Sequence, residues 1–137
     1  MKSIAFAAFT LMAAAAPALS QDARYTLELN NARAAETGCR LTYVAMNATG
    51  TDLSATSFEV AVFDQDGKVN RLLILEFGAL KDGRTKVVQF DLAEQGCEDI
   101  SRLLVNSVAE CSATEGTAPD CLDVLEASSR TDIDFGL

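Results

Sequence analysis

From Tyr25 onward, apolar and polar positions alternate in runs of about 6 to 10 residues, each followed by turn chemistry, which predicts an antiparallel all-β domain. "YTLELNN" sets Tyr25, Leu27 and Leu29 on one face, and "CRLTYVAMNAT" does the same with Leu41, Tyr43 and Ala45 before a polar turn from Asn47 to Asp52. In "SFEVAVFD", Phe58, Val60 and Val62 face one way and Ala61 and Phe63 the other, the pattern of a central strand with partly apolar surfaces on both sides. "NRLLILEF" is almost continuously apolar, and Lys81-Asp82-Gly83 then supplies a turn of a favoured type. "TKVVQFDL" alternates more loosely, with Val88, Phe90 and Leu92 against Lys86, Gln89 and Asp91.

The next segment, "EDISRLLVNSVAEC", has two readings. Ile100, Leu103, Leu104 and Val108 satisfy a helical period, whereas a strand places Leu103, Val105, Ser107 and Ala109 on one face. The strand is preferred, because a helix would leave a five-stranded sheet with a poorly covered face. The expected architecture is an immunoglobulin-like antiparallel β-sandwich of six to seven strands over residues 21–112. A disulfide-tethered acidic segment follows over 113–137, with one or two helical turns in "DCLDVLEASS" capped by Asp120 or Thr117 and a loosely held end, "RTDIDFGL".

The first twenty residues change the compartment. Lys2 precedes an apolar run from Ile4 to Ala16, shorter than the about 20 residues that span a bilayer, and Ala18-Leu19-Ser20 offers small residues where a signal peptidase reads them. The expectation is a signal peptide cleaved after Ser20, with Ala16-Pro17-Ala18 as a second site. No cysteine stands at the cleavage point to carry a lipid anchor. Short alanine-rich leaders of this kind are bacterial, so the expected destination is the periplasm or the outside, with no stable membrane anchor after cleavage.

Cleavage removes 20 of 137 residues and leaves 117, enough for one domain with a modest core. It removes one lysine and no acid, so ten cations face twenty anions and the mature net charge is −10. Such a surface repels nucleic acid and anionic headgroups and favours solubility. Histidine is absent, which closes the Ser-His-Asp and Cys-His templates, histidine metal ligation and neutral-pH proton shuttling; no enzyme activity and no cofactor is expected.

Cys39, Cys97, Cys111 and Cys121 form an even set in an exported chain, without zinc spacing or a Cys-x-x-Cys pair, so two structural disulfides are expected. Counting strands up and down brings like ends together as Cys39 with Cys97 and Cys111 with Cys121.

Asp64-Gln65-Asp66-Gly67 resembles the opening of a calcium loop, with Asp64 and Asp66 as candidate ligands. The twelfth position, however, is Leu75 rather than glutamate (Glu76 is its neighbour), and Lys68, Val69, Arg71 and Leu72 stand where oxygen ligands belong. A hairpin turn explains the same residues better. Asn47-Ala48-Thr49 has the form of a glycosylation sequon, and Glu28, Glu59, Glu76 and Asp91 are carboxylates from which an acid/base pair could be drawn, although nothing in the sequence makes any two converge.

Val60-Ala61-Val62-Phe63-Asp64 followed by a glycine turn resembles the FxLYD-type and related immunoglobulin-like bacterial modules, with Val60 and Phe63 at the places of the motif's Phe and Tyr. The Asn-containing turn in "AMNATGTDL" fits the same pattern, and the resemblance spans about residues 38–110. It implies a β-sandwich of the envelope without catalytic residues. The expected function is therefore a non-catalytic interaction or structural module with a protein partner in the envelope, using strand edges or end loops; the alternative is a small-ligand or calcium carrier using the acidic loops.

Overall fold

The computed structural model describes residues 15–18 and 21–137; apart from 15–18, the leader and its cleavage point lie outside the described residues. Eight strands follow one another: β1 (Arg24–Ala34), β2 (Gly38–Ala48), β3 (Leu53–Phe63), β4 (Val69–Glu76), β5 (Thr85–Ala93), β6 (Arg102–Ala113), β7 (Leu125–Ser129) and β8 (Asp134–Gly136). They form two four-stranded sheets, ordered β5-β2-β1-β7 and β4-β3-β6-β8. The all-β reading and the sandwich are therefore present, with eight strands in place of six to seven.

Each sheet buries the face that alternation marked. Tyr25, Leu27 and Leu29 of β1, Leu41, Tyr43 and Ala45 of β2, and Phe58, Val60 and Val62 of β3 are all within 1 % of complete burial. Between the sheets, Tyr43 meets Phe77, Phe90 and Phe135 edge-on, with ring centroids 5.5, 5.9 and 5.1 Å away. Such edge-to-face contacts add directional attraction to the burial of apolar surface. Gly38 opens β2 opposite Ala93 of β5, where a Cβ would collide with the Leu92 carbonyl, so this close strand approach requires glycine.

The strand reading of residues 102–113 holds, and the helical look of that segment has a physical cause. β6 pairs antiparallel with β3 through register shifts at Leu53/Ala55, Ser57/Phe58 and Glu59/Val60. These irregularities carry the inward positions from Leu103 and Val105 to Val108, a spacing that imitates a helix while the backbone stays extended.

The C-terminal segment differs from expectation. Asp120 does cap one turn, its Oδ1 accepting from the Leu122 and Asp123 amides at 3.1 Å each, but the chain then enters β7 rather than a helix. The helical segment among the described residues is a single 3-10 turn at Cys97–Asp99. Nor is the end loose. β7 lies parallel to β1 and β8 parallel to β6, so the last residues complete both sheets and make each of them mixed rather than purely antiparallel. Leu125, Ile133 and Phe135 join the core. Both disulfides pair as the strand count required, Cys39–Cys97 and Cys111–Cys121. No helix of the described residues is long and apolar enough to cross a membrane.

Candidate functional site

The Asp64–Gly67 element is a hairpin turn between β3 and β4. Asp64 Oδ1 accepts from the Asp66 and Lys68 amides at 2.9 Å each, the Asp64 amide donates to the Lys68 carbonyl at 2.9 Å, and Gly67 takes φ +76°. The side chain that would begin a cation loop is thus directed to its own backbone. Ser101 Oγ donates to the Asp64 carbonyl at 2.5 Å and fixes the turn to the chain before β6. Leu75 lies in the core and Glu76 faces outward at the far end of β4, opposite Ser57. Among the described residues no three Asp, Glu or Cys side chains gather as metal ligands would.

The four carboxylates singled out in the sequence divide between the two sheets. Glu28 and Asp91 lie on the outer face of the first sheet, and Glu59 and Glu76 on that of the second. Arg40 clasps Asp91 in a two-pronged pair, Nε and Nη2 donating at 2.7 and 2.9 Å, which holds the carboxyl below its ordinary range. Glu28 is lowered chiefly by the Asn30 amide and then by Arg130. Glu59 accepts from Asn106.

Asn47 is fully buried, and its sequon has a structural use. Its Nδ2 donates to the Thr51 and Leu80 carbonyls at 2.9 and 2.8 Å, and its Oδ1 accepts from the Thr49 amide and hydroxyl. One amide therefore closes the β2–β3 turn onto the loop before β5. A second buried link joins the sheets: Tyr25 Oη meets Thr56 Oγ1 at 3.1 Å, and Thr56 in turn donates to the Gly78 carbonyl. Tyr43 Oη, by contrast, has no hydrogen-bond partner among the described residues. Burial pushes both phenols above their ordinary pKa, Tyr43 most strongly.

What sequence reading missed is a surface. β4 and β5 are each the outermost strand of their sheet, on the side opposite β7 and β8. Of the five large hydrophobic residues exposed among those described, Val69, Leu72, Ile74 and Val87 lie on these two strands; the fifth is Leu137. Leu72 and Ile74 face outward while Leu73 and Leu75 face the core, so β4 is apolar on both sides and unpaired along one edge. Between the two strands runs an open groove of about 480 Å³ lined by Arg71, Leu73, Leu75, Gln89 and Phe90 among others. Arg71 spans it, Nη2 donating to the Ala93 carbonyl at 3.2 Å. A larger depression, about 650 Å³, lies elsewhere beside Asn30, Glu98, Arg130 and Asp132, and its lining is mainly polar.

The signal for this surface was present in "NRLLILEF". A strand apolar on both faces is either central or an edge awaiting a partner, and only topology separates the two. No family model, no curated protein and no solved structure matches the chain.

Proposed function

We propose that the chain is an exported, non-catalytic interaction module of the bacterial envelope, an immunoglobulin-like sandwich that docks a protein partner along the β4–β5 edge. The observation carrying this reading is the edge strand β4, open along one side and apolar on its outer face at Leu72 and Ile74, with Val69 exposed at its start and Val87 exposed on the neighbouring edge strand β5. Exposed edges of this kind attract further strands, and proteins that gain nothing from them blunt them with charge, proline or bulges. β4 carries one register shift at its start, near Phe63, and none from Arg71 to Glu76. Two disulfides suit an oxidising compartment, which supports the periplasmic or extracellular placement.

The test is capture from envelope extract with the mature chain and with a Leu72→Lys, Ile74→Lys variant whose melt matches the parent. Proteins retained by the parent and lost by the variant are the expected result. Identical retention by both would contradict docking at this edge.

A further inference from the structure

The sandwich is closed on one side and open on the other. β7 and β8 draw together, whereas β4 and β5, the outermost strands on the opposite side, do not. The inward side chains at this opening are apolar: Leu73 and Leu75 from β4, Phe90 and Leu92 from β5. Leu73 and Phe90 pack against the core yet stay only partly buried, so core surface continues into the groove of about 480 Å³. Pockets that take small molecules measure about 300–1,000 Å³ and combine an apolar lining with a few placed polar groups.

Arg71 is the placed polar group here. Its Nη2 answers the Ala93 carbonyl, but its Nε is shielded from water and has no hydrogen-bond partner among the described residues. The other polar side chains of the lining are committed elsewhere: Arg40 holds both oxygens of Asp91, and Gln89 donates to Thr42 Oγ1 at 3.0 Å. Arg71 therefore brings the uncommitted charge of the groove. Residues 64–91 carry five cations and five anions, so the mature net charge of −10 belongs to the rest of the chain, and salt screens it beyond about 8 Å.

We propose that this groove binds a small amphiphile, an aliphatic chain ended by a single carboxylate. The tail lies against Leu73, Leu75, Phe90 and Leu92, and the head rests on the Arg71 guanidinium. Burying the tail removes apolar surface from water, and the carboxylate supplies the acceptor that Nε lacks. The ligand sits between the sheets rather than on the outer face of β4, so this reading stands or falls apart from partner docking.

The probe is laurate, kept below the concentration at which it forms micelles and titrated into the mature chain by calorimetry, with amide chemical shifts locating the site. Dodecyltrimethylammonium carries a similar tail under a cation, and acetate carries the head without the tail. Laurate is expected to bind at least about tenfold tighter than either, and to shift amides of residues 71–75 and 89–93. Arg71→Gln is expected to weaken laurate at least about tenfold and to leave dodecyltrimethylammonium unchanged. Should that variant fail to fold, the head and tail preferences of the parent and the place of the shifts still decide the matter. Equal binding of laurate and dodecyltrimethylammonium, no binding of laurate, shifts confined to β7, β8 or the loops, or unchanged laurate affinity in Arg71→Gln overturns the proposal. If Leu72→Lys, Ile74→Lys loses its captured partners while laurate does not bind, docking at the edge stands and the groove ligand falls. Laurate binding at the groove with identical capture by both chains gives the reverse.

Discussion

Tyr25 and Tyr43 both point inward from adjacent strands, yet only one hydroxyl is answered among the described residues. Tyr25→Phe breaks the bond to Thr56 and is expected to cost about 1 kcal/mol, the usual net worth of such a bond, with Thr56 still held by the Gly78 carbonyl. Tyr43→Phe removes a buried hydroxyl without a partner and keeps the ring contacts to Phe77, Phe90 and Phe135, so it is expected to be neutral or stabilising by about 1 kcal/mol. Urea unfolding of the two variants measures both, and a loss at Tyr43 as large as that at Tyr25 would contradict the assignment. The same burial fixes an alkaline limit. Because the folded phenols titrate above the unfolded value of 10.0, their contribution is complete below pH 10 and is lost as pH rises beyond it, when the unfolded chain releases protons that the folded chain retains. The melting temperature therefore falls above pH 10, and Tyr43→Phe flattens that fall. Asn47 shows the limit of residue-level reading. Its sequon is visible in sequence, but the carbonyls it answers at Thr51 and Leu80 meet it only in the fold.

At the scale of elements, the strands whose alternation was clean, β1, β2 and β3, were legible together with their inward faces. β6 was harder because register shifts against β3 break the two-residue period. β7 and β8 were hidden for different reasons. "LEASS" has weak strand preference and is extended because it pairs with β1, the Tyr25 amide donating to the Val124 carbonyl at 2.8 Å just before it, an instance of tertiary context overriding local tendency. At β8 and just before it, Asp132 and Asp134 masked the inward alternation of Ile133 and Phe135. The disulfides pin these late elements. By chain-entropy reasoning, replacing Cys39 and Cys97 by alanine, which opens the bridge of sequence separation 58, costs about 4 kcal/mol, and opening the Cys111–Cys121 bridge of separation 10 costs about 3 kcal/mol. Denaturant unfolding of the two double variants checks the order. A larger loss from Cys111–Cys121 would show that it does more than shorten the unfolded chain, by holding β7 and β8 in their sheets.

At the scale of the whole molecule, the sandwich has a covered core and, along the β4–β5 side, four of the five exposed large hydrophobic residues among those described. The element that looked most like a site in the sequence, Asp64 to Gly67, is the turn leading into the candidate edge rather than a ligand cage. Calcium is accordingly expected to leave the melting temperature where EDTA leaves it; a rise of several degrees would assign Asp64 and Asp66 to a cation. The edge itself was not legible, because which strands end a sheet depends on the pairing order and not on any one segment. The most direct measurement is amide hydrogen exchange of the mature chain, free and bound to a captured partner. The account predicts that protection is gained along β4 and β5, at Arg71 to Glu76 first. Protection gained instead at the end loops or along β7 and β8, with β4 unchanged, would contradict it.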